Sequence, residues 1–119
     1  MREAISWVLE MAIKPGELDN FKALMDEMVE DVQASQPDTT IYEWFYSEDG
    51  SACHIYERYT DSAATMIHLG SFAENYAERF LGAADPTRLV VYGNPSDEVR
   101  AIVGGFGAVF MEQLGGYAR

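Results

Sequence analysis

The order in which strand-like and helix-like segments follow one another constrains the fold of this chain more than any other feature. Apolar residues that alternate with polar ones predict strands, and apolar residues spaced three and four apart predict helices. In chain order these patterns predict a strand over 4–13, a helix over 17–34, strands over 40–47 and 51–59, a helix over 61–82, a strand over 87–93, a short helix over 97–104 and a strand over 108–114. The first six elements therefore have the order β-α-β-β-α-β.

Turn-forming residues support these boundaries. Lys14-Pro15-Gly16 ends the first strand, and Ser47-Glu48-Asp49-Gly50 joins the two central strands as a hairpin. Asp61 or Thr60 is placed to cap the second long helix. Gly70 is expected to break that helix into two pieces.

The tract Gly104-Gly105-Phe106-Gly107 has the glycine content of a phosphate-binding loop. It lacks the preceding strand, the Lys-Ser/Thr pair and the following helix that such a loop requires. We therefore interpret it as the C-terminal stop of the short helix.

The order β-α-β-β-α-β predicts a ferredoxin-like α+β fold. In this fold, right-handed crossovers place both main helices on one face of an antiparallel sheet. The short helix and the C-terminal strand extend it. Because 119 residues have room for one hydrophobic core, residues 1–119 are expected to form a single domain.

The sheet face away from the helices is expected to be apolar as well. It would carry Val8, Val90, Tyr92 and one side of the aromatic hairpin. An apolar area of that size is unfavourable in water, so we expect a second copy of the chain to pack its sheet against this one as a homodimer.

The net charge of −12 argues against a nucleic-acid partner. Phosphate recognition needs clustered lysines and arginines, whereas this chain has two lysines, Lys14 and Lys22, and six scattered arginines. No apolar run approaches the ~20 residues that span a bilayer. Met1-Arg2-Glu3-Ala4 opens into a strand pattern without a signal peptide, so a cytoplasmic protein without a membrane partner is expected.

Several segments together resemble the antibiotic biosynthesis monooxygenase family. They are the strand end Ile13-Lys14-Pro15-Gly16, the helix that carries Phe21 and Leu24, the tract Tyr56-Glu57-Arg58-Tyr59-Thr60-Asp61-Ser62-Ala63-Ala64 with His68 after it, the strand end Tyr92-Gly93, and the last strand from Phe110 to Leu114. The resemblance covers nearly the whole chain, and the tract from Glu57 to His68 is its most specific part.

The resemblance implies a dimeric α+β barrel and a range of activities. Some members are oxygenases that act on aromatic polyketides or quinols without metal, flavin or haem, because the substrate supplies the electrons for O₂. Other members degrade haem, and fold alone does not distinguish them. The resemblance therefore implies a small aromatic ligand and no cofactor.

His68 is the leading catalytic candidate. It shares the predicted inner stripe of its helix with Ala64, Phe72 and Tyr76. A histidine can accept a proton from a phenol or a hydroquinone near neutral pH, which would produce the electron-rich anion that reacts with O₂. The alternative is a structural histidine that is hydrogen-bonded between helix and sheet.

Aromatic side chains are the candidates for substrate binding. We expect Trp44, Tyr46, Phe72 and Tyr76 to stack on a planar substrate, although aromatic residues are also common in strands and cores. Trp44, Asn75, Tyr76 and Arg79 supply the residue types of the pocket in the polyketide-oxidising members of the family.

The remaining chemically active residues favour structural roles. His54 is expected at the interface between two chains, with a place in the pocket as the alternative, and Glu57 and Arg58 are expected to form salt bridges from opposite faces. No histidine spacing supports a metal site, even with help from Glu43 or Glu57. Cys53 is expected to be a small strand residue because a reactive thiol would need positive neighbours.

Three functions are compatible with these features. The first is a cofactor-independent monooxygenase of small aromatic, quinol-like or polyketide substrates. The second is a non-catalytic dimeric domain that binds a small molecule, and the third is a structural or stress-associated dimer with a filled core. An internal cavity would favour the first two over the third.

Overall fold

A computed structural model describes residues 3–119, so Met1 and Arg2 of the predicted domain lie outside the described residues. The elements are β1 (Ile5–Ile13), α1 (Leu18–Ser35), β2 (Thr39–Tyr46), β3 (Ala52–Tyr59), α2 (Ser62–Asn75), α3 (Ala77–Ala83), β4 (Ala84–Tyr92), α4 (Asp97–Gly104) and β5 (Val109–Met111). This order confirms the predicted ferredoxin-like α+β fold with an appended helix and strand.

The strands form one mixed sheet in the order β2-β3-β1-β4-β5. The first three pairings are antiparallel, and β5 joins β4 in parallel because α4 provides the crossover between them. β1 lies at the centre, with Trp7 opposite Glu57 of β3 on one side and Val91 of β4 on the other.

The helices cover the face of β1 that points away from Val8. Ile5, Trp7, Met11 and Ile13 are buried there. α1 adds the apolar stripe of Phe21, Leu24, Met28 and Val32. Burial of side chains of this size contributes about 1.5–3 kcal/mol each, so this layer is the main source of stability and the frame of any site inside it.

The predicted helix break at Gly70 is wrong. α2 continues through Gly70, since a single glycine inside a helix costs only about 1 kcal/mol. The break lies at Tyr76, whose φ of −131° and ψ of −22° separate α2 from α3. There the ring of Tyr76 enters the core and its hydroxyl donates to Asp31 on α1.

Two strand ends also differ from their predictions. β4 begins at Ala84, ahead of Pro86, because a register shift between Glu10 and Met11 accommodates the irregular start of the strand. β5 ends at Met111, since pairing with β4 extends over three residues.

The opposite sheet face is apolar and open. Phe45, Tyr92, Val109 and Met111 are all between 42% and 55% exposed, and they come from three different strands. Among the described residues, no helix is long and apolar enough to cross a membrane.

Candidate functional site

A buried acid–base pair lies between the sheet and α2. Glu57 extends from β3 toward the helices, and His68 of α2 lies over it with Nε2 at 3.0 Å from Oε1 of Glu57. The two side chains are only 5% and 7% exposed. A carboxylate and an imidazole at this depth need polar partners, and each supplies one to the other.

The start of α2 fixes the position of His68. The carboxylate of Asp61 accepts a hydrogen bond from the backbone N–H of Ala64 at 2.8 Å, which confirms Asp61 as the predicted cap. The hydroxyl of Thr65 donates to the backbone oxygen of Asp61. Because the helix begins immediately after β3, its second turn brings His68 back over Glu57.

The second nitrogen of His68 also has a partner. Nδ1 lies 2.9 Å from Oε1 of Gln36, the residue that follows α1, and the hydroxyl of Thr39 donates to the same oxygen. Since that amide oxygen only accepts, Nδ1 carries a proton. The contact between Nε2 and Oε1 of Glu57 holds a further proton, so the pair accepts a proton from a ligand only after it has released this one.

Tyr59 completes the contacts of the carboxylate. Its hydroxyl donates to Oε1 of Glu57, and its ring is fully buried 5.2 Å from the ring of His68. Burial and the negative charge of Glu57 both raise the pKa of Tyr59 well above its usual value. Tyr59 therefore remains a hydrogen-bond donor to Glu57 throughout the neutral range.

Tyr42 of β2 lies on the other side of His68, with an edge-on ring contact at 5.3 Å. Burial is the main cause that raises the pKa of its hydroxyl, and the charge of Glu57 adds to it. The nearby N–H of Trp44 lowers the pKa of Tyr42 and so opposes this rise. It does not reach full hydrogen-bond geometry with any partner. The site thus offers protonated hydroxyls beside the acid–base pair.

A cavity of about 70 Å³ adjoins this pair. Its polar lining comes from Tyr42, Glu57 and His68, and the rest is almost wholly apolar, including Trp7 and Phe72. An apolar space with a few convergent polar groups is typical of a ligand site.

Two of the four predicted substrate-binding residues lie at the cavity, and the other two lie away from it. Phe72 lines the cavity, and Trp44 lies beside it, 5.7 Å from the ring of Tyr42. Tyr76 is packed in the core with its hydroxyl bound to Asp31 at 2.6 Å. Tyr46 lies outside the cavity, 59% exposed, with Lys22 over its ring.

The sequence interpretation assigned no site role to Gln36 or Tyr42, and it favoured a salt-bridge role for Glu57. One pattern could have found Glu57, because it alternates with Ile55 and Tyr59 on the buried side of β3. A charged residue on such a face needs a buried partner. Gln36 lies just after the end of α1, and no sequence pattern marks it as a site residue.

The other candidates lie away from this cavity. His54 is on the open sheet face, where its Nε2 is 3.5 Å from Glu10. Cys53 is buried, and burial raises its pKa to about 11, which does not suit a reactive thiol. Over residues 3–119, no three His, Cys, Asp or Glu side chains are grouped as a metal site requires.

A wider hollow of about 1150 Å³ opens between the exposed sheet face and the C-terminal tail. Ser6, Tyr56 and Tyr92 lie on its sheet side, and Leu114 and Tyr117 on its tail side. Neither Glu57 nor His68 borders it. Of these two spaces, the Glu57–His68 pair borders the smaller one.

Solved structures with the same fold include proteins from several bacteria. MupZ from Pseudomonas fluorescens is 23% identical, with a TM-score of 0.86 over 99% of this chain and 96% of that one. Rv0793 from Mycobacterium tuberculosis is 21% identical, with a TM-score of 0.67 over 80% and 98%. SnoaB, a cofactor-independent oxygenase from Streptomyces nogalater, is 13% identical, with a TM-score of 0.65 over 79% and 95%.

At these identities the structures show a shared fold. A comparison with curated protein sequences finds no significant match. The sequence model of the antibiotic biosynthesis monooxygenase family matches residues 4–103, which include Glu57, His68 and most of the residues around them. This chain therefore belongs to the antibiotic biosynthesis monooxygenase family.

Proposed function

We propose that the protein is a cofactor-independent monooxygenase that oxidises small aromatic, quinol-like or polyketide substrates. The observation that carries the proposal is the buried Glu57–His68 pair at the wall of an apolar cavity. Membership of the family supports a monooxygenase in general terms. The similarity to SnoaB supports the absence of a cofactor, although only through a shared fold.

The proposed reaction begins with removal of a proton. Once the Glu57–His68 pair has released its shared proton, a phenolic hydroxyl in the cavity gives its proton to the pair, and the resulting anion transfers electrons to O₂. For a hydroquinone, the ring gains one oxygen atom and is oxidised to a hydroxyquinone. The second oxygen atom leaves as water with two hydrogens of the substrate, so substrate and O₂ together supply every atom and electron.

The surrounding residues keep the pair in position. Gln36 holds Nδ1 of His68, and Tyr59 holds the carboxylate of Glu57, so Nε2 keeps its direction. Tyr42 can donate its hydroxyl to an anionic substrate oxygen, because burial keeps that hydroxyl protonated. The apolar walls exclude water, which strengthens each of these contacts.

Oxygen uptake with a panel of hydroquinones and anthrones tests this proposal. His68→Ala and Glu57→Gln should each lower turnover by about 100-fold or more, as expected for loss of general base catalysis. His54→Ala is the matched control, since His54 is paired with a carboxylate outside the cavity. Turnover that survives His68→Ala would contradict the mechanism.

A non-catalytic binding domain remains the second candidate function, and the small cavity also favours it. A phenol that raises the melting temperature of the protein but is recovered unchanged, without oxygen uptake, would support that function and overturn the monooxygenase.

The open sheet face supports a homodimer, which we propose as the state in which the protein works. Phe45, Val109 and Met111 are exposed on it, and such an apolar area is costly in water. Sedimentation should give twice the mass of one chain, and Val109→Asp should shift the protein toward one-chain mass. A one-chain mass at all concentrations would contradict the proposal.

A further inference from the structure

The cavity beside Glu57 and His68 has one exposed side. Of its lining residues in the described chain, only Leu81, Pro86 and Phe106 are exposed. Leu81 is 38% exposed and Phe106 is 50% exposed, while the others are buried or half-buried. The end of α3, the start of β4 and the turn after α4 therefore form the mouth of the cavity.

An aromatic ligand needs more space than this cavity has. An apolar cavity of about 150 Å³ holds a benzene ring, whereas this one measures about 70 Å³. One wall must therefore move when a ligand enters. Strands β1 and β3 and the buried core residues resist movement because interiors are close-packed, so the exposed side is the part that can yield.

Phe106 is the residue of the mouth with the most freedom to move. It lies in the turn between α4 and β5, with Gly105 before it and Gly107 after it. The φ of Gly107 is +75°, which favours glycine. The backbone N–H of Phe106 and that of Ala108 both donate to the oxygen of Val103, so the turn is anchored while the ring remains half exposed.

We propose that Phe106 is the entrance residue of the cavity and sets the rate at which aromatic ligands reach Glu57 and His68. Its ring covers the mouth in the empty protein and swings outward to admit a ligand. The proposal rests on the proposed function only in taking this cavity as the ligand site, and its tests require no oxidation.

The chemistry of the mouth also indicates which ligands pass. Leu81, Pro86 and Phe106 present no charge, and the only charged partner inside is the Glu57–His68 pair. An anionic ligand would have to leave water and approach Glu57 in a chain of net charge −12. The entrance therefore favours flat, uncharged aromatic molecules such as 1-naphthol.

Quenching of Trp7 fluorescence by acrylamide measures this entrance directly. Trp7 lines the cavity and is only 4% exposed, and Trp44→Phe makes it the one tryptophan of the test protein. Phe106→Ala should raise the bimolecular quenching constant by about twofold or more, because access then no longer waits for the ring to move. Phe106→Leu should give an intermediate value.

Ile67→Ala is the control, since Ile67 is 61% exposed on α2 and does not line the cavity. It should leave quenching unchanged. An unchanged quenching constant in both Phe106 variants, with circular dichroism identical to that of the parent, would overturn the proposal.

Binding kinetics of 1-naphthol separate an entrance residue from an ordinary contact. Removing an entrance residue raises the association and dissociation rate constants together, whereas removing a contact raises mainly the dissociation rate constant. Phe106→Ala should therefore raise both by several-fold with little change in Kd, and a rise in dissociation alone would contradict the proposal. Faster quenching without oxygen uptake on any substrate would support the entrance and overturn only the proposed function.

Discussion

The two faces of the sheet each carry a histidine paired with a glutamate, and the pairs differ in nearly every physical respect. On the helix-covered face, His68 and Glu57 are 3.0 Å apart and almost completely buried. On the open face, His54 and Glu10 are 3.5 Å apart, with side chains 53% and 33% exposed, and Arg88 lies 4.0 Å from the same glutamate.

The difference shows that the environment decides what such a pair can do. Gln36 contacts Nδ1 of His68 and Tyr59 donates to Oε1 of Glu57, so a shared proton has a defined place in the buried pair. In the single chain, water surrounds the exposed pair and screens its charges, so the pair contributes little to the stability of the chain.

Removing the glutamate of each pair should show the difference between the two pairs most clearly. Glu57→Ala leaves His68 buried without its partner and should lower the free energy of unfolding by about 3–5 kcal/mol. Glu10→Ala, the matched change on the open face, should lower it by less than about 1 kcal/mol. Urea denaturation measures both values, and equal losses would contradict the contrast.

Gln36 should account for a smaller part of the stability of the buried pair. Gln36→Leu removes the acceptor of His68 Nδ1 and should lower the free energy of unfolding by about 1–3 kcal/mol, the cost of an unsatisfied buried donor. Gln33→Leu on the exposed face of α1 is the control. If Gln36 only positions His68, the pH profile of oxygen uptake should shift as well, while Gln33→Leu leaves it unchanged.

Ionisation of the buried tyrosines of the site should destabilise the fold at alkaline pH. The pKa values of Tyr42 and Tyr59 are raised in the folded protein, so the unfolded chain loses these protons first. The stability that they contribute is complete below pH ~10 and falls above it, by about 1.4 kcal/mol per pH unit for each tyrosine. Urea denaturation between pH 9 and 11 should show a shallower fall in the free energy of unfolding for Tyr42→Phe than for the parent protein. Tyr92→Phe, a change at an exposed tyrosine, should match the parent.

The smallest effect is expected at the exposed histidine. His54→Ala should change the free energy of unfolding by no more than about 0.5 kcal/mol at low salt, because a surface pair gains little from its geometry. In high salt this difference should disappear, because screening removes the remaining attraction between His54 and Glu10. Differential scanning calorimetry at two salt concentrations checks this, and a large salt-independent loss would place His54 in a buried contact.

Local patterns were sufficient to predict the main features of the fold. The alternating pattern over 4–13 predicted β1, and Asp61 was one of the two residues predicted to cap α2. These features depend on residues close together in the chain. The helix break was misplaced because the contact of Tyr76 with Asp31 spans 45 positions and leaves no local pattern.

The site was predictable only in part for the same reason. His68 and Phe72 share one stripe of α2, and both reach the cavity. Gln36 and Tyr42 come from other elements, and their approach to His68 depends on how α1 and β2 pack. Periodicity places a side chain on a face, but it does not state which distant side chain lies opposite.

The short separation between Glu57 and His68 has a consequence for folding. Both residues belong to the β3–α2 unit and are eleven positions apart in the chain, whereas Gln36 is 32 positions from His68. Closing a short loop costs less chain entropy than closing a long one. The acid–base pair is therefore expected to form early in folding with its own strand and helix, before the docking of α1 brings Gln36 and fixes the imidazole in its final orientation.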